Sequence, residues 1–284
     1  MALNAVPAPG LVLLSIVAIQ LGAAIATHLF PILGASGTVA VRIIISALLL
    51  ALAARTSVRL LGQTFIKHWQ LLLAFGLCMA IMNMFFYQAI ARIPLGAAVA
   101  FEFIGPLGVA ALASRRISHF AFVALAALGI VLLSPLTGVD LDRLGILFAL
   151  LAGAGWAMFI ILAARVGKHI PDNDGLAIGM VIAAITMIPF AAPVAAELVF
   201  NPLVLLAALG VALLSTTLPF TFEFNALKRL SARTYGVLVS LEPGVAALIG
   251  AVVLGERLGI QGVLAICCVV VAAVGITLLD EKKE

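Results

Sequence analysis

Apolar stretches of near-uniform length recur along the chain, separated by short polar breaks. They run over roughly 10–30, 38–54, 70–91, 94–113, 119–136, 144–164, 175–196, 203–226, 234–254 and 259–279. Each reaches, or nearly reaches, the ~17–25 residues that cross hydrocarbon as a helix. Ten helices are predicted, with connections of about six residues and no room for a soluble domain. Backbone groups in lipid must be satisfied within helices or closed barrels, so the expected fold class is all-α and integral to the membrane.

Composition strengthens this reading, because 65% of residues are hydrophobic and 10% charged, with a mean hydropathy of +1.30. Water-soluble domains carry about 25% charged residues. The net charge of +4 does not imply a nucleic-acid partner, because the basic residues fall in short loops between spans. With both termini cytoplasmic, the inner loops and tail hold twelve: Arg55, Arg59, Lys67, Arg115, Arg116, Arg165, Lys168, Lys228, Arg229, Arg233, Lys282 and Lys283. The outer loops hold three, Arg92, Arg143 and Arg257, an asymmetry that fits the positive-inside rule. Residues 1–9 carry no Lys or Arg, so the first run is expected to be a retained span and not a cleaved leader. Cys78, Cys267 and Cys268 lie inside apolar runs without metal-site spacing and are read as packing residues.

The chain also repeats itself. Gly-Val-Ala-Ala-Leu occurs at 108–112 in the fourth run and at 244–248 in the ninth, each closely following a proline, Pro106 or Pro243. Arg92 and Arg229 correspond upstream. Fourth of five and ninth of ten are equivalent positions in a duplication, with a boundary near Asp140–Arg143 and repeats at 1–140 and 141–284. An odd number of spans per repeat makes the second copy enter the membrane from the opposite side. Inverted repeats of this kind build many secondary transporters, with substrate held near the midplane between the halves.

Two acids stand out within the apolar runs. Glu102 lies about one turn before Pro106, and Glu242 directly precedes Pro243. A charge at the bilayer centre costs at least ~2.5 kcal/mol, so such groups face protein cavities and mark function. The alternative is a protonated structural glutamate bonded between helices. Pro106 lacks an N–H for the Glu102 carbonyl, so a freed carbonyl and a carboxylate are expected at one level, both suited to an ammonium group or a cation. Pro219 is a third expected kink. Arg42, inside the second run, suits a carboxylate on a substrate or a neighbouring helix; snorkelling to the surface is the alternative. Glu223 lies little more than a turn from Lys228, where an interfacial ion pair competes with substrate contact. Gln20, Asn83, Tyr87, Trp156, Thr216 and Ser240 complete the candidate substrate-binding set, with Glu102 and Glu242 as proton-coupling groups. The fifth and tenth runs are nearly bare of polar residues, which predicts that they are peripheral. No nucleophile–base pair or metal-ligand cluster falls in the spans, so neither enzymatic chemistry, metal nor cofactor is expected.

Several segments resemble a known family: Ile19-Gln20 to Phe30-Pro31, Ala40-Val41-Arg42, Met82-Asn83 to Tyr87, Ile93-Pro94-Leu95-Gly96 to Pro106, Ser114-Arg115-Arg116, Gly153 to Ala157, Leu214 to Pro219, and Arg233 to Glu242-Pro243 with Leu254-Gly255-Glu256. The chain is similar to the drug/metabolite transporter superfamily of ten helices in two inverted five-helix EamA repeats. Within it, the threonine/homoserine exporter (RhtA-type) branch is most similar. The resemblance implies export of small amino acids or related metabolites across a bacterial inner membrane, by proton antiport and alternating access. Its partners would be a small zwitterionic metabolite, protons and the lipid bilayer. Gly105, where the generic repeat has an acid before the proline, departs from the pattern. Rival readings are an importer, a carrier of another metabolite or drug, and a passive channel.

Overall fold

A computed structural model describes residues 6–53, 58–113, 117–133, 141–170 and 174–255, with scattered positions over 260–272. Most of the tenth run, the repeat boundary at Asp140, Glu256, the basic residues Arg55, Arg115, Arg116, Arg257, Lys282 and Lys283, and the side chains of Arg59 and Arg233 lie outside the described residues. The described elements are all helical. In chain order they are α1 (Ala8–Thr27), α2 (Phe30–Ala53), α3 (Val58–Ile90), α4 (Leu95–Glu102), α5 (Ile104–Ala113), α6 (Ile117–Leu133), α7 (Arg143–His169), α8 (Asp174–Ala191), α9 (Ala195–Phe200), α10 (Pro202–Ala212), α11 (Leu218–Leu227), α12 (Ala232–Val239) and α13 (Glu242–Val253). Among the described residues, six stretches are long and apolar enough to cross a membrane, and Leu95–Pro106 and Glu242–Val253 are shorter apolar helices. Large apolar side chains such as Leu48, Leu52, Ile185, Val199 and Phe200 face outward, as a lipid solvent allows and water does not.

Four of the expected spans are interrupted, the seventh near its end by a 3-10 turn at Ala192–Val194 and the other three each with a local cause. The fourth breaks at Phe103 between α4 and α5, and the ninth at Ser240-Leu241 between α12 and α13. Pro106 and Pro243 sit in the first turns of the second pieces, where a missing N–H costs no helical bond. In the eighth, a π-helical turn at Leu213–Thr217 separates α10 from α11, and Pro219 follows in the first turn of α11. The second span also differs from its expected start. Helix α2 begins at Phe30, with Gly34 at φ +66° inside it, so Phe30–Gly37 is ordered structure and not a free loop. Glycine suits that left-handed position, since it bears no Cβ.

The helices pack in a pattern that positions the centre of the bundle. Helix α1 lies against α11, α12, α13 and the π turn, and α7 lies against α3, α4 and α5. Between these groups α2 packs on α8, α3 on α8, α2 on α10, α4 on α13 and α5 on α12. Helix α6 packs chiefly against α4 and α5, at the periphery as its composition predicts. Close approach depends on glycine at two crossings. A Cβ at Gly22 of α1 would lie 2.6 Å from Ser215 Cβ and 2.7 Å from its nitrogen, and one at Gly105 would overlap the Gly153 carbonyl of α7. At both crossings a small residue thus permits the close backbone approach.

Candidate functional site

Three of the interrupted spans converge on one buried cavity. Its wall includes Arg42 of α2, Asn83 and Tyr87 of α3, Glu102 of α4, Trp156 of α7, Ser215 of the π turn, Glu223 of α11 and Glu242 of α13, with Ile19, Ala23, Met82, Phe86 and Phe220 as apolar neighbours. It measures about 50 Å³, room for roughly three waters at the ~15 Å³ that one requires. Both acids flagged by their place in apolar runs are here, with Glu102 8% and Glu242 4% exposed. The breaks carry them inward, because Glu102 is the last residue of α4 and Glu242 the first of α13.

Arg42 is tied across three helices and does not snorkel. Its Nη1 donates to the carbonyl and to Oγ of Ser215, each at 3.1 Å, and Nη2 donates to Asn83 Oδ1. Asn83 is itself oriented by donating from Nδ2 to the Met79 carbonyl at 2.7 Å. The guanidinium carbon sits 4.5 Å from the Tyr87 ring centre, a cation–π contact in a desolvated site. The π turn matters locally, because Ser215 Oγ donates to Val211 at 2.6 Å while accepting from Arg42. One guanidinium donor, Nε–H, is buried with no acceptor.

The acids differ in their partners. Glu242 Oε1 accepts from Gln20 Nε2 at 2.8 Å, whereas Gln20 Oε1 and Glu242 Oε2 remain buried and unmatched. Glu102 has no side-chain hydrogen bond among the described residues, and it lies within electrostatic range of Arg42 and Glu223. Its main-chain carbonyl, which Pro106 leaves without a helical donor, is turned onto Gly153 of α7. The expectation that this carbonyl and the carboxylate jointly face a ligand is therefore corrected: helix packing takes the carbonyl. Trp156 meets Phe103 edge-on, with ring centres 6.1 Å apart.

Not every candidate reaches the wall. Gln20 touches the cavity only through Glu242, and Thr216 and Ser240 are buried but do not line it. Conversely, Ser215 and Phe220 line it without having been singled out as binding residues, and Glu223 lines it too. Of the two alternatives for Glu223, the structure shows burial, at 3% exposure, and not an interfacial position beside Lys228. Glu223 accepts from Ser15 Oγ at 2.7 Å, and Lys228 extends over the Phe224 ring instead. Among the described residues, no group of three His, Cys, Asp or Glu could hold a metal ion.

Broken helices that deliver charged groups to a shared pocket inside an apolar bundle define a multi-pass membrane transporter. The chain belongs to the EamA-like transporter family, whose pattern matches residues 143–278. It is 42% identical to the threonine/homoserine exporter RhtA of Salmonella typhimurium, over 95% of this chain and 91% of that protein. To RhtA of Escherichia coli it is 40% identical, over 96% of this chain and 92% of the other. An uncharacterized transporter of Bacillus subtilis, YwfM, is 27% identical over 77% of each chain. One solved crystal structure superposes with a TM-score of 0.73 at 19% identity, covering 96% of this chain and 98% of that one, which is a likeness of fold. The protein is thus a transporter and not an enzyme.

Proposed function

We propose that the protein exports small zwitterionic amino acids of the threonine and homoserine kind across a bacterial inner membrane, by proton antiport with alternating access. The observation that carries this reading is the cavity's charge layout. Arg42 has an unmatched N–H where a substrate carboxylate would bind, and Glu102, with no hydrogen bond of its own among the described residues, faces it as the acceptor for an ammonium group. Asn83, Tyr87, Trp156 and Gln20 orient or enclose these groups, and Glu242 joins Glu102 in proton coupling. The named relatives favour this substrate class.

Ten spans in two inverted repeats, 1–140 and 141–284, are part of the same proposal, with both termini cytoplasmic. Helix packing supports it. Exchanging the first span for the sixth, the second for the seventh, the third for the eighth and the fourth for the ninth turns the α3–α7 contact into α1–α11. The same exchange turns α3–α8 into α2–α10, α4–α7 into α1–α12 and α5–α7 into α1–α13, and all of these contacts occur. It maps α2–α8 onto itself, as elements astride a two-fold axis must be, and exchanges α4–α13 with α5–α12, both of which occur. Rocking of one half on the other would then expose the cavity to either side.

The test is flux in proteoliposomes. Wild type is expected to move labelled threonine or homoserine in the direction opposite to the proton flow of an imposed gradient and to move protons when substrate is supplied. Glu102→Gln is expected to lose the substrate-driven proton movement, and equal proton movement in both proteins refutes the role given to Glu102.

A further inference from the structure

Glu223 is the buried acid to which the reading above gives no task. It lies on the helical turn of α11 that also carries Phe220 and Phe224. Phe220 lines the central cavity, whereas Phe224 lines a second one of about 350 Å³ between the ends of α7 and α11, with Lys168, Lys228 and Ser231 also in its wall. On the orientation proposed above, this second cavity is on the cytoplasmic side. An aromatic layer starts at the wall of the central cavity: Phe220 stacks on Phe159 at 5.5 Å, and Phe159 on Phe75 at 5.6 Å. Glu223 therefore stands at the boundary.

The groups facing it come from several helices. Ser15 of α1 donates to it, Tyr235 of α12 and Glu242 of α13 lie within electrostatic range, and so does Glu102 of α4, which is itself beside Arg42 of α2. The ionisable residues described on α7 and α8, namely Arg143, Arg165, Lys168, His169 and Asp174, lie near the ends of those helices. Three carboxyls thus share the cavity with one guanidinium. An unpaired charge in hydrocarbon costs at least ~2.5 kcal/mol, so the empty cavity balances one carboxylate against Arg42 and keeps two carboxyls neutral. Glu102 and Glu223, within electrostatic range of each other, share that charge and one proton. A proton on Glu242 supplies the donor that the unmatched pair of oxygens on Gln20 and Glu242 lacks. Glu223, next in the chain to Phe224 in the wall of the second cavity, is the member of the Glu102 and Glu223 pair placed to release the shared proton inward.

Building on the antiport reading, we propose that Glu223 is the inner proton-exchange site, the group from which the imported proton leaves toward the cytoplasm. When the aromatic layer opens, the O–H bond of Glu223 breaks and its electron pair stays on the carboxylate. A water in the second cavity accepts the proton. The Ser15 hydroxyl and the arriving substrate ammonium then stabilise the negative charge.

Full-length protein in proteoliposomes tests this through two measurements: threonine counterflow without a gradient, and threonine accumulation driven by a pH step. Glu223→Gln is expected to keep counterflow and lose the response to the pH step, whereas Glu102→Gln loses both. A Glu223→Gln protein that responds to the pH step as wild type does overturns the proposal and leaves the amino-acid reading intact. Loss of both activities in a folded variant assigns Glu223 to binding and also overturns it. Wild type with counterflow but no pH response removes the antiport step and this site with it, while wild type without counterflow removes the substrate reading as well. If the variant does not fold, wild type is treated with dicyclohexylcarbodiimide, which modifies protonated carboxyls in apolar surroundings. Mass spectrometry is expected to find Glu223 modified and protected by threonine, and an unmodified Glu223 beside modified Glu242 overturns the assignment.

Discussion

Replacing Arg42 by lysine keeps the positive charge and removes the planar fork, so it separates charge from geometry. The fork spans two anchors, Ser215 through Nη1 and Asn83 through Nη2, and a single ammonium on a shorter stem reaches one of them. Hydrogen bonds between helices in membranes average ~0.6 kcal/mol and reach ~1.7 kcal/mol. Losing the Asn83 side therefore costs about 0.6–1.7 kcal/mol, and losing the Ser215 side up to about twice that. At about 2–4 °C per kcal/mol for a chain of this order of size, Arg42→Lys is expected to melt several degrees below wild type. The effect on substrate is larger. A hydrogen bond to a charged group contributes ~1.5–3 kcal/mol, so loss of the Nε–H contact with a carboxylate is expected to weaken apparent affinity by ten-fold or more. The assay is threonine counterflow over a concentration series, beside thermal unfolding of the same detergent-solubilised sample. Arg42→Lys with wild-type affinity and wild-type melting refutes the fork argument, and wild-type affinity with a lowered melting point confines Arg42 to helix tethering.

Other outcomes follow from the packing. Gly153→Ala places a methyl against the Glu102 carbonyl; overpacking of this kind costs about 1–3 kcal/mol and moves α4 off α7, so reduced flux with a lowered melting point is expected, and unchanged values in both refute the close crossing. Tyr87→Phe removes a buried hydroxyl that has no partner, so its melting point should stay within about 0.5 kcal/mol of wild type in free-energy terms, while counterflow reports whether substrate uses that oxygen. Ser46→Ala deletes one bond from α2 to the Ala212 carbonyl, at 3.0 Å, and is expected to cost about 0.6 kcal/mol without altering flux, as a melting curve and counterflow would check.

Length made most of the bundle legible, because hydrocarbon thickness sets the number of apolar residues per span and few sequences meet it by accident. Glu102, Glu242 and Arg42 were legible for a related reason: a charge in such a run has no comfortable outward direction. The start of α2 was hidden by Pro31, Gly34, Ser36 and Gly37, which interrupt the apolar pattern yet are accommodated by one left-handed glycine. The position of Glu223 stayed open between interface and cavity because its distance from Lys228 reads as interfacial when every turn is assumed regular. The one available hint was Ser215-Thr216-Thr217 before Pro219, a cluster of hydroxyl side chains of which Ser215 bonds backward to the Val211 carbonyl in the irregular turn. Ser15 gave no signal, being a lone hydroxyl among aliphatic neighbours whose partner lies 208 positions away.

The wide turn at Leu213–Thr217 sets the angular phase of everything that follows it. A regular helix advances about 100° per residue, and a single π turn inserts one surplus residue into that progression. Downstream side chains are thus offset by that angle from where even winding would aim them, which is how the acid of α11 comes to look at α1 and not at lipid. Winding the surplus out would swing Phe220 and Glu223 together by the same arc, closing one passage and uncovering another without bending a helix.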